Sequence, residues 1–129
     1  MSHITNIELE IKDLAALKAA CNRMGFTFKE NQNTCNYYRG QKADCLHAIE
    51  VPGAAYEVGV VKNKNGGYSL IWDPFIHGGL ESALGPAAGK LKQAYGIEKA
   101  KLEARKKGFS VYERIKEDGA IILSVEGGF

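Results

Sequence analysis

The middle of the chain, from Cys35 to Asp73, limits the fold most, because apolar and polar residues alternate there between strong turn signals. Asn63-Lys64-Asn65-Gly66-Gly67 separates two such runs, and its Asn-Gly step supplies the positive φ angles that a tight hairpin requires. This region therefore predicts neighbouring antiparallel strands. The predicted strands are Asn36–Arg39, Cys45–Val51 (ended by Pro52-Gly53), Tyr56–Lys62 and Tyr68–Asp73.

The N-terminal part predicts a strand followed by a helix. Residues 3–12 alternate, with Ile7, Leu9 and Ile11 on one face. Asp13 then offers an N-cap oxygen, and apolar residues recur at helical spacing over about 14–24 before Gly25. The predicted buried stripe consists of Leu14, Leu17, Cys21 and Met24. Phe26 and Phe28 begin a second strand, and residues 31–34 predict a turn.

The C-terminal part predicts a second helix and a second hairpin. Gly78-Gly79 and Pro86 indicate irregular structure after Phe75, and a helix is expected over about 87–107, ending at Gly108. Gly89 and Gly96 each cost about 1 kcal/mol relative to alanine, which favours fraying or a kink in its first half. The final strands are predicted at Phe109–Ile115 and Ala120–Val125, with Lys116-Glu117-Asp118-Gly119 between them.

A short internal similarity links the two helices. Residues 22–29 and 105–112 both read as a helix end, Gly-Phe and a strand, although a chance match over so short a stretch is the alternative. Together the patterns predict one α+β domain over residues 1–129. We expect a mainly antiparallel sheet of six to eight strands with two helices packed on one face, and two repeated αβ halves are one arrangement that would give it.

Composition excludes several classes of protein. Lys and Arg number 17 against 15 Asp and Glu, and a net charge of +2 argues against a dedicated electrostatic nucleic-acid binder. The start of the chain does not match a signal peptide, and apolar runs of four or five residues are far below the roughly 20 that span a bilayer. Three cysteines without a CxxC pair favour free thiols in the cytoplasm, with no metal and no cofactor.

Three stretches together resemble a known family. They are Met-Ser-His with Ile11-Lys12-Asp13-Leu14, then Tyr38-Arg39-Gly40-Gln41, and finally Gly108-Phe109-Ser110-Val111 with residues 117–123. The chain is similar to the open-reading-frame family of red-algal plastids, cyanobacteria, other bacteria and some phages, known as domain of unknown function 1257. That resemblance implies no catalytic residue. Its bacterial members resemble small partners encoded beside AAA-type ATPases, which implies a protein partner. The resemblance also implies a cytoplasmic location, which is the stroma for a plastid-encoded chain and the host cytoplasm for a phage-encoded one.

The predicted binding residues are those whose chemistry suits an anion near strand ends. Arg39 follows two tyrosines and precedes Gly40, and a guanidinium binds carboxylate or phosphate and stacks on aromatic rings. If the strand ends meet, the cleft would combine an aromatic wall, a guanidinium and an imidazole. The full predicted set is His3, Tyr38, Arg39, Gln41, Trp72, Asp73 and His77.

Several of these residues, and His47 outside the set, also have a structural interpretation. Arg39 could stack on a tyrosine and cap a turn, Trp72 could fill the end of the core, and His3 and His47 could be ordinary core or rim histidines. Cys35, Cys45 and His47 lack the paired spacing of a structural zinc site.

The sequence thus favours a non-enzymatic binding or adaptor module for a partner protein or a small anionic ligand. One alternative is a small enzyme that uses His3, Asp73 and His77 around Arg39. The other is an RNA or single-strand binder that uses Tyr37, Tyr38 and the basic second helix. The oligomeric state is left open.

Overall fold

Residues 4–127 are described by a computed structural model, which contains nine strands and three α-helices within that range. The strands are β1 (Thr5–Ile11), β2 (Thr27–Lys29), β3 (Thr34–Asn36), β4 (Lys42–Asp44), β5 (His47–Glu50), β6 (Glu57–Lys62), β7 (Tyr68–Trp72), β8 (Phe109–Ile115) and β9 (Ile121–Gly127). The helices are α1 (Leu14–Met24), α2 (Leu80–Leu84) and α3 (Gly89–Lys106). None of these helices is long and apolar enough to cross a membrane.

The predicted α+β class and the mainly antiparallel sheet are confirmed. Five antiparallel strands form the main sheet in the order β1-β7-β6-β5-β2. Two further pairs, β3-β4 and β8-β9, form separate two-stranded sheets. The two αβ halves therefore differ, because β2 joins the main sheet whereas β8 pairs only with β9 among the described strands.

Helix α1 begins and ends where the sequence predicts. The Asp13 carboxylate accepts hydrogen bonds from the backbone N–H groups of Ala15 (2.9 Å) and Ala16 (3.3 Å), which satisfies two free donors of the first turn. Gly25 ends the helix at φ 78°, a left-handed conformation that glycine adopts without a Cβ penalty. Leu17 and Cys21 are buried, as the apolar spacing predicts.

The main core lies between the helices and one face of the main sheet. Ladder partners such as Ile49 and Val58, or Val60 and Leu70, point to the same side of the sheet. They pack with buried residues of all three helices in one cluster, including Leu17 of α1 and Leu91 of α3. Helix α3 buries Leu91 and Tyr95 in the same cluster.

The opposite face of the sheet is covered by the β3-β4 hairpin. Cys35, Cys45 and Ala48 form a small buried cluster there. Gly59 lies beneath it, because a Cβ at that position would come within 2.8 Å of the Cys35 Sγ atom. This second layer makes the centre of the sheet inaccessible from both sides.

A buried carboxylate holds this second layer in place. Glu57 is only 7% exposed, and both of its oxygens accept hydrogen bonds from the Gln32 side-chain amide at 3.1 Å. The backbone N–H of Asn36 donates to the same carboxylate at 3.0 Å. A buried charge needs such partners, and here they attach β3 and the loop before it to the central strand β6.

Two local predictions were wrong. The strand predicted over Asn36–Arg39 ends at Asn36, because Arg39 and Gly40 both adopt positive φ and reverse the chain in a tight turn over Tyr38–Gly40. The segment after Phe75 contains α2, although Gly78, Gly79 and Pro86 indicate irregular structure there. Its Leu80 and Leu84 are fully buried one helical turn apart, so packing stabilises a helix too short to be recognised by periodicity.

The β8-β9 ribbon is attached to the helices by ion pairs. Glu113 of β8 pairs with Arg23 of α1 and with Lys101 of α3, the latter at 3.1 Å. Arg23 also pairs with Glu98 at 3.2 Å. The hydrogen bond from Arg23, reinforced by that from Lys101, lowers the pKa of Glu113 to about 2.

The first prediction concerns the α1 core. We expect Leu17→Ala to lower the free energy of unfolding by about 2–5 kcal/mol, because truncating a fully buried leucine leaves a cavity. Denaturant unfolding measures this loss. Leu46→Ala is the matched control, since Leu46 is 39% exposed and should cost much less. An unchanged midpoint for Leu17→Ala would contradict the packing described here.

The second prediction concerns the cysteines, all of which are free and buried. Burial raises the pKa of the Cys21 and Cys45 thiols to about 12, so little of the reactive thiolate exists at neutral pH. We expect slow reaction with a thiol reagent in the native state and three titratable thiols in denaturant without reductant. One equivalent of zinc by elemental analysis would contradict the expectation that no structural metal is present.

The third prediction concerns the ribbon attachment in acid. The pKa of Glu113 is lowered from 4.5 in the folded state, so its stabilisation is complete above pH 4.5 and is lost as pH falls towards 2. We expect Glu113→Gln to be less stable than the parent at neutral pH, with the difference shrinking over that window. Unfolding curves at several pH values measure this. Glu117→Gln, in the exposed turn, should behave like the parent throughout.

Candidate functional site

A continuous row of four side chains connects two loops at one end of the main sheet. The Arg39 guanidinium carbon lies 5.2 Å from the centre of the Tyr38 ring, and the Tyr38 ring stacks on Phe75 at 5.4 Å. The centre of the His77 imidazole lies 5.2 Å from the centre of the Phe75 ring, with the two ring planes at 72° to each other. We call these four residues the aromatic row. It places a cation at one end and an imidazole at the other.

The first half of the aromatic row is set by a tight turn after β3. Arg39 has φ 57° and Gly40 has φ 73°, which reverses the chain. The turn is closed by hydrogen bonds from Tyr37 N to Gln41 O (2.9 Å) and from Gln41 N to Tyr38 O (3.1 Å). Arg39 is exposed, so its strained backbone presents the side chain to solvent rather than to the core.

The second half is set by Asp73, the first residue after β7. Its Oδ1 atom accepts a hydrogen bond from the backbone N–H of Phe75 at 3.0 Å, which fixes the turn through Pro74. The side chain is fully buried, and no residue within 4–127 bonds to its Oδ2 atom. Asp73 therefore positions Phe75 and does not itself reach the surface.

The loop that carries His77 is held against the sheet by close backbone packing. A Cβ on Gly78 would come within 2.1 Å of the Tyr56 ring, so only glycine fits between them. Gly78 O also accepts the backbone N–H of Ala55 at 2.9 Å. The short 3₁₀ turn Ile76–Gly78 is thereby fixed, and His77 stays exposed on it.

The structure brings together only part of the predicted site. Tyr38, Arg39 and His77 meet through Phe75, while Gln41 is exposed and its backbone closes the same turn.

Trp72 and His3 differ from the rest of the predicted set. Trp72 is 4% exposed, belongs to the main core, and borders a separate hollow with Ala87 and Lys92. His3 lies outside the described residues.

Phe75 is the residue that the sequence analysis missed. It joins the two loops by contacting Tyr38 on one side and His77 on the other. The available signal was an aromatic residue directly after Asp73-Pro74, in a loop with no predicted core partner. Such a residue needs an aromatic or apolar neighbour from elsewhere in the chain, and a single sequence does not show which one.

The cysteines and His47 are not arranged as a metal site. Alternation along β5 places His47 on the helix-covered face, where its Nδ1 accepts the backbone N–H of Asn31 at 2.9 Å. Cys35 and Cys45 lie in the cluster on the opposite face. Within residues 4–127 no group of three potential metal ligands comes together.

The basic residues of α3 are partly neutralised within the fold. Lys99 pairs with Glu103 at 3.0 Å, and Lys101 pairs with Glu98 at 3.4 Å as well as with Glu113. These lysines therefore do not form a free positive surface.

Comparison with known proteins places this fold in one family. Searches of curated proteins and of solved structures each gave no match. A family model described as "Protein of unknown function (DUF1257)" matches residues 20–123. That span covers all of the main sheet except β1, together with both turns of the aromatic row. The chain therefore belongs to the DUF1257 family.

Proposed function

We propose that this protein is a binding module that recognises an anionic group on a partner protein through the aromatic row. The observation that carries the proposal is the exposed Arg39 guanidinium, held over the Tyr38 ring. None of the ion pairs within residues 4–127 includes Arg39. A cation that is oriented by the fold and left without a carboxylate suits an external anion.

The geometry around Arg39 favours binding because it lowers the cost of ordering. A guanidinium stacked on an aromatic face has fewer conformations to lose when it forms a bidentate contact. The positive φ of Arg39 costs about 1–3 kcal/mol, which is typical of strain kept at ligand-binding positions.

The remaining members of the row define the kind of group that fits. Phe75 and His77 extend the surface beyond the guanidinium with a half-buried ring and an exposed imidazole. We infer that the ligand carries a carboxylate or phosphate next to an apolar or aromatic side chain. An acidic peptide segment of a protein partner has this chemistry, and an AAA-type ATPase is the partner class that the family resemblance suggests.

The two alternative functions have less support. The enzyme alternative needs Asp73 beside a substrate, but its carboxylate is fully buried and engaged with Phe75 N. The nucleic-acid alternative has the net charge of only +2 against it, and two lysines of α3, Lys99 and Lys101, are paired with glutamates.

The fourth prediction tests the aromatic row. Partners captured by the full chain from a host lysate would be identified by mass spectrometry, and their affinity measured by calorimetry. We expect Arg39→Ala to weaken binding by about 1–3 kcal/mol with the fold intact, as for loss of a charge-assisted contact. Arg105→Ala is the matched control, because Arg105 is also exposed but lies at the end of α3.

Three results separate the possible roles of Arg39. Unfolding of Arg39→Ala, seen by circular dichroism, would make Arg39 structural. Equal affinity of variant and parent would remove it from the site. The third result is that inorganic phosphate alone displaces the partner, and that Arg39→Ala weakens the binding of phosphate and of partner by the same factor. That result would indicate a small anionic ligand instead of a peptide.

A further inference from the structure

The β8-β9 ribbon leaves apolar side chains uncovered. Three of the most exposed large hydrophobic residues of the described chain lie on it, namely Tyr112 (56% exposed), Ile115 (69%) and Val125 (52%). Val125 and Ile115 share one face of the ribbon, and Tyr112 lies on the other. The ribbon is a separate two-stranded sheet that Glu113 attaches to the helices. Its uncovered apolar residues indicate a surface that suits a further strand.

The outer edge of β9 is open and has little protection against strand pairing. Within residues 4–127 β9 pairs only with β8, in a register of seven consecutive pairs without a bulge. Its sequence, Ile-Ile-Leu-Ser-Val-Glu-Gly, has one charged residue and neither proline nor lysine. Monomeric proteins usually protect exposed edges with those devices, so their absence here favours pairing with another strand.

We propose that the occupant of this edge is a second copy of the chain. Two β9 strands would pair antiparallel about a two-fold axis at Leu123, giving one four-stranded sheet in the order β8-β9-β9-β8. A two-fold interface is self-complementary, so the same strand must suit itself in reverse. The register with Leu123 opposite Leu123 meets that requirement in both apolar contacts and charge.

The apolar residues align in rows across this four-stranded sheet. Within one chain Val111 lies opposite Val125, and Ile115 lies opposite Ile121. The two-fold axis places Val125 opposite Ile121 of the second copy. Each row then reads Val111, Val125, Ile121 and Ile115, so the exposed Val125 gains a β-branched neighbour, Ile121 of the second copy, while Ile115 keeps Ile121 of its own chain as its neighbour.

The charges also match in this register. Glu126, the only charged residue of β9, would lie opposite Ala120 of the second copy. Ala120 is followed across its own hairpin by Lys116, whose N–H donates to Ala120 O at 2.8 Å. The small alanine leaves room for Lys116 to reach Glu126 from the same face. The neighbouring register, centred on Ser124, would instead place Glu126 against Ile122.

Sedimentation velocity of the full chain at increasing concentration tests the proposal. We expect a species of twice the chain mass that becomes monomeric in Val125→Lys, because the lysine would insert a charge into an apolar row. Ile76→Lys is the control, since Ile76 is 74% exposed and lies on the 3₁₀ turn before α2. Circular dichroism checks that both variants are folded.

A cysteine pair tests the register itself. Leu123→Cys places two thiols opposite each other on the axis, and mild oxidation should give a covalent dimer on a non-reducing gel. Val125→Cys faces Ile121 of the second copy and should give far less. A chain that stays monomeric at all concentrations, a dimer that persists in Val125→Lys, or equal cross-linking of the two cysteine variants would each overturn the proposal.

Discussion

Burial of β6 on both faces is the constraint on which the rest of the structure depends. Every residue from Glu57 to Val60 is buried, so the strand needs a layer on each side of the sheet. The helices supply one layer, and the β3-β4 hairpin supplies the other. Because Glu57 anchors that hairpin through Asn36 and Gln32, it also determines where the following turn, with Tyr38 and Arg39, can lie.

The features that the sequence predicts well are those specified by neighbouring residues. Helix α1 is bounded by Asp13 and Gly25, and the hairpin around Gly66 needs only its own turn residues. The positive φ of Arg39 and the burial of α2 depend on contacts distant in the sequence, so local patterns did not reveal them. The candidate site shows the same difference between local and distant determinants. Side-chain chemistry predicted Arg39 as a binding residue, but it did not predict that Tyr38 and Phe75 connect Arg39 to His77.

Two arginines show how the surroundings decide the role of one residue type. Arg23 pairs with both Glu98 and Glu113, so its charge is neutralised within the fold, where it joins the helices to the ribbon. Arg39 contacts an aromatic ring, which orients a cation without neutralising it. The two residues are of the same type in the sequence, yet only Arg39 leaves its charge available to another molecule.

The contact between Gly78 and Tyr56 limits how this surface can evolve. Because the Tyr56 ring occupies the space of a Cβ at position 78, any larger residue there must push the ring away and move His77 with it. A larger residue at position 78 therefore requires a smaller one at position 56. The exposed position of His77 thus depends on a glycine and a buried ring that lie outside the aromatic row.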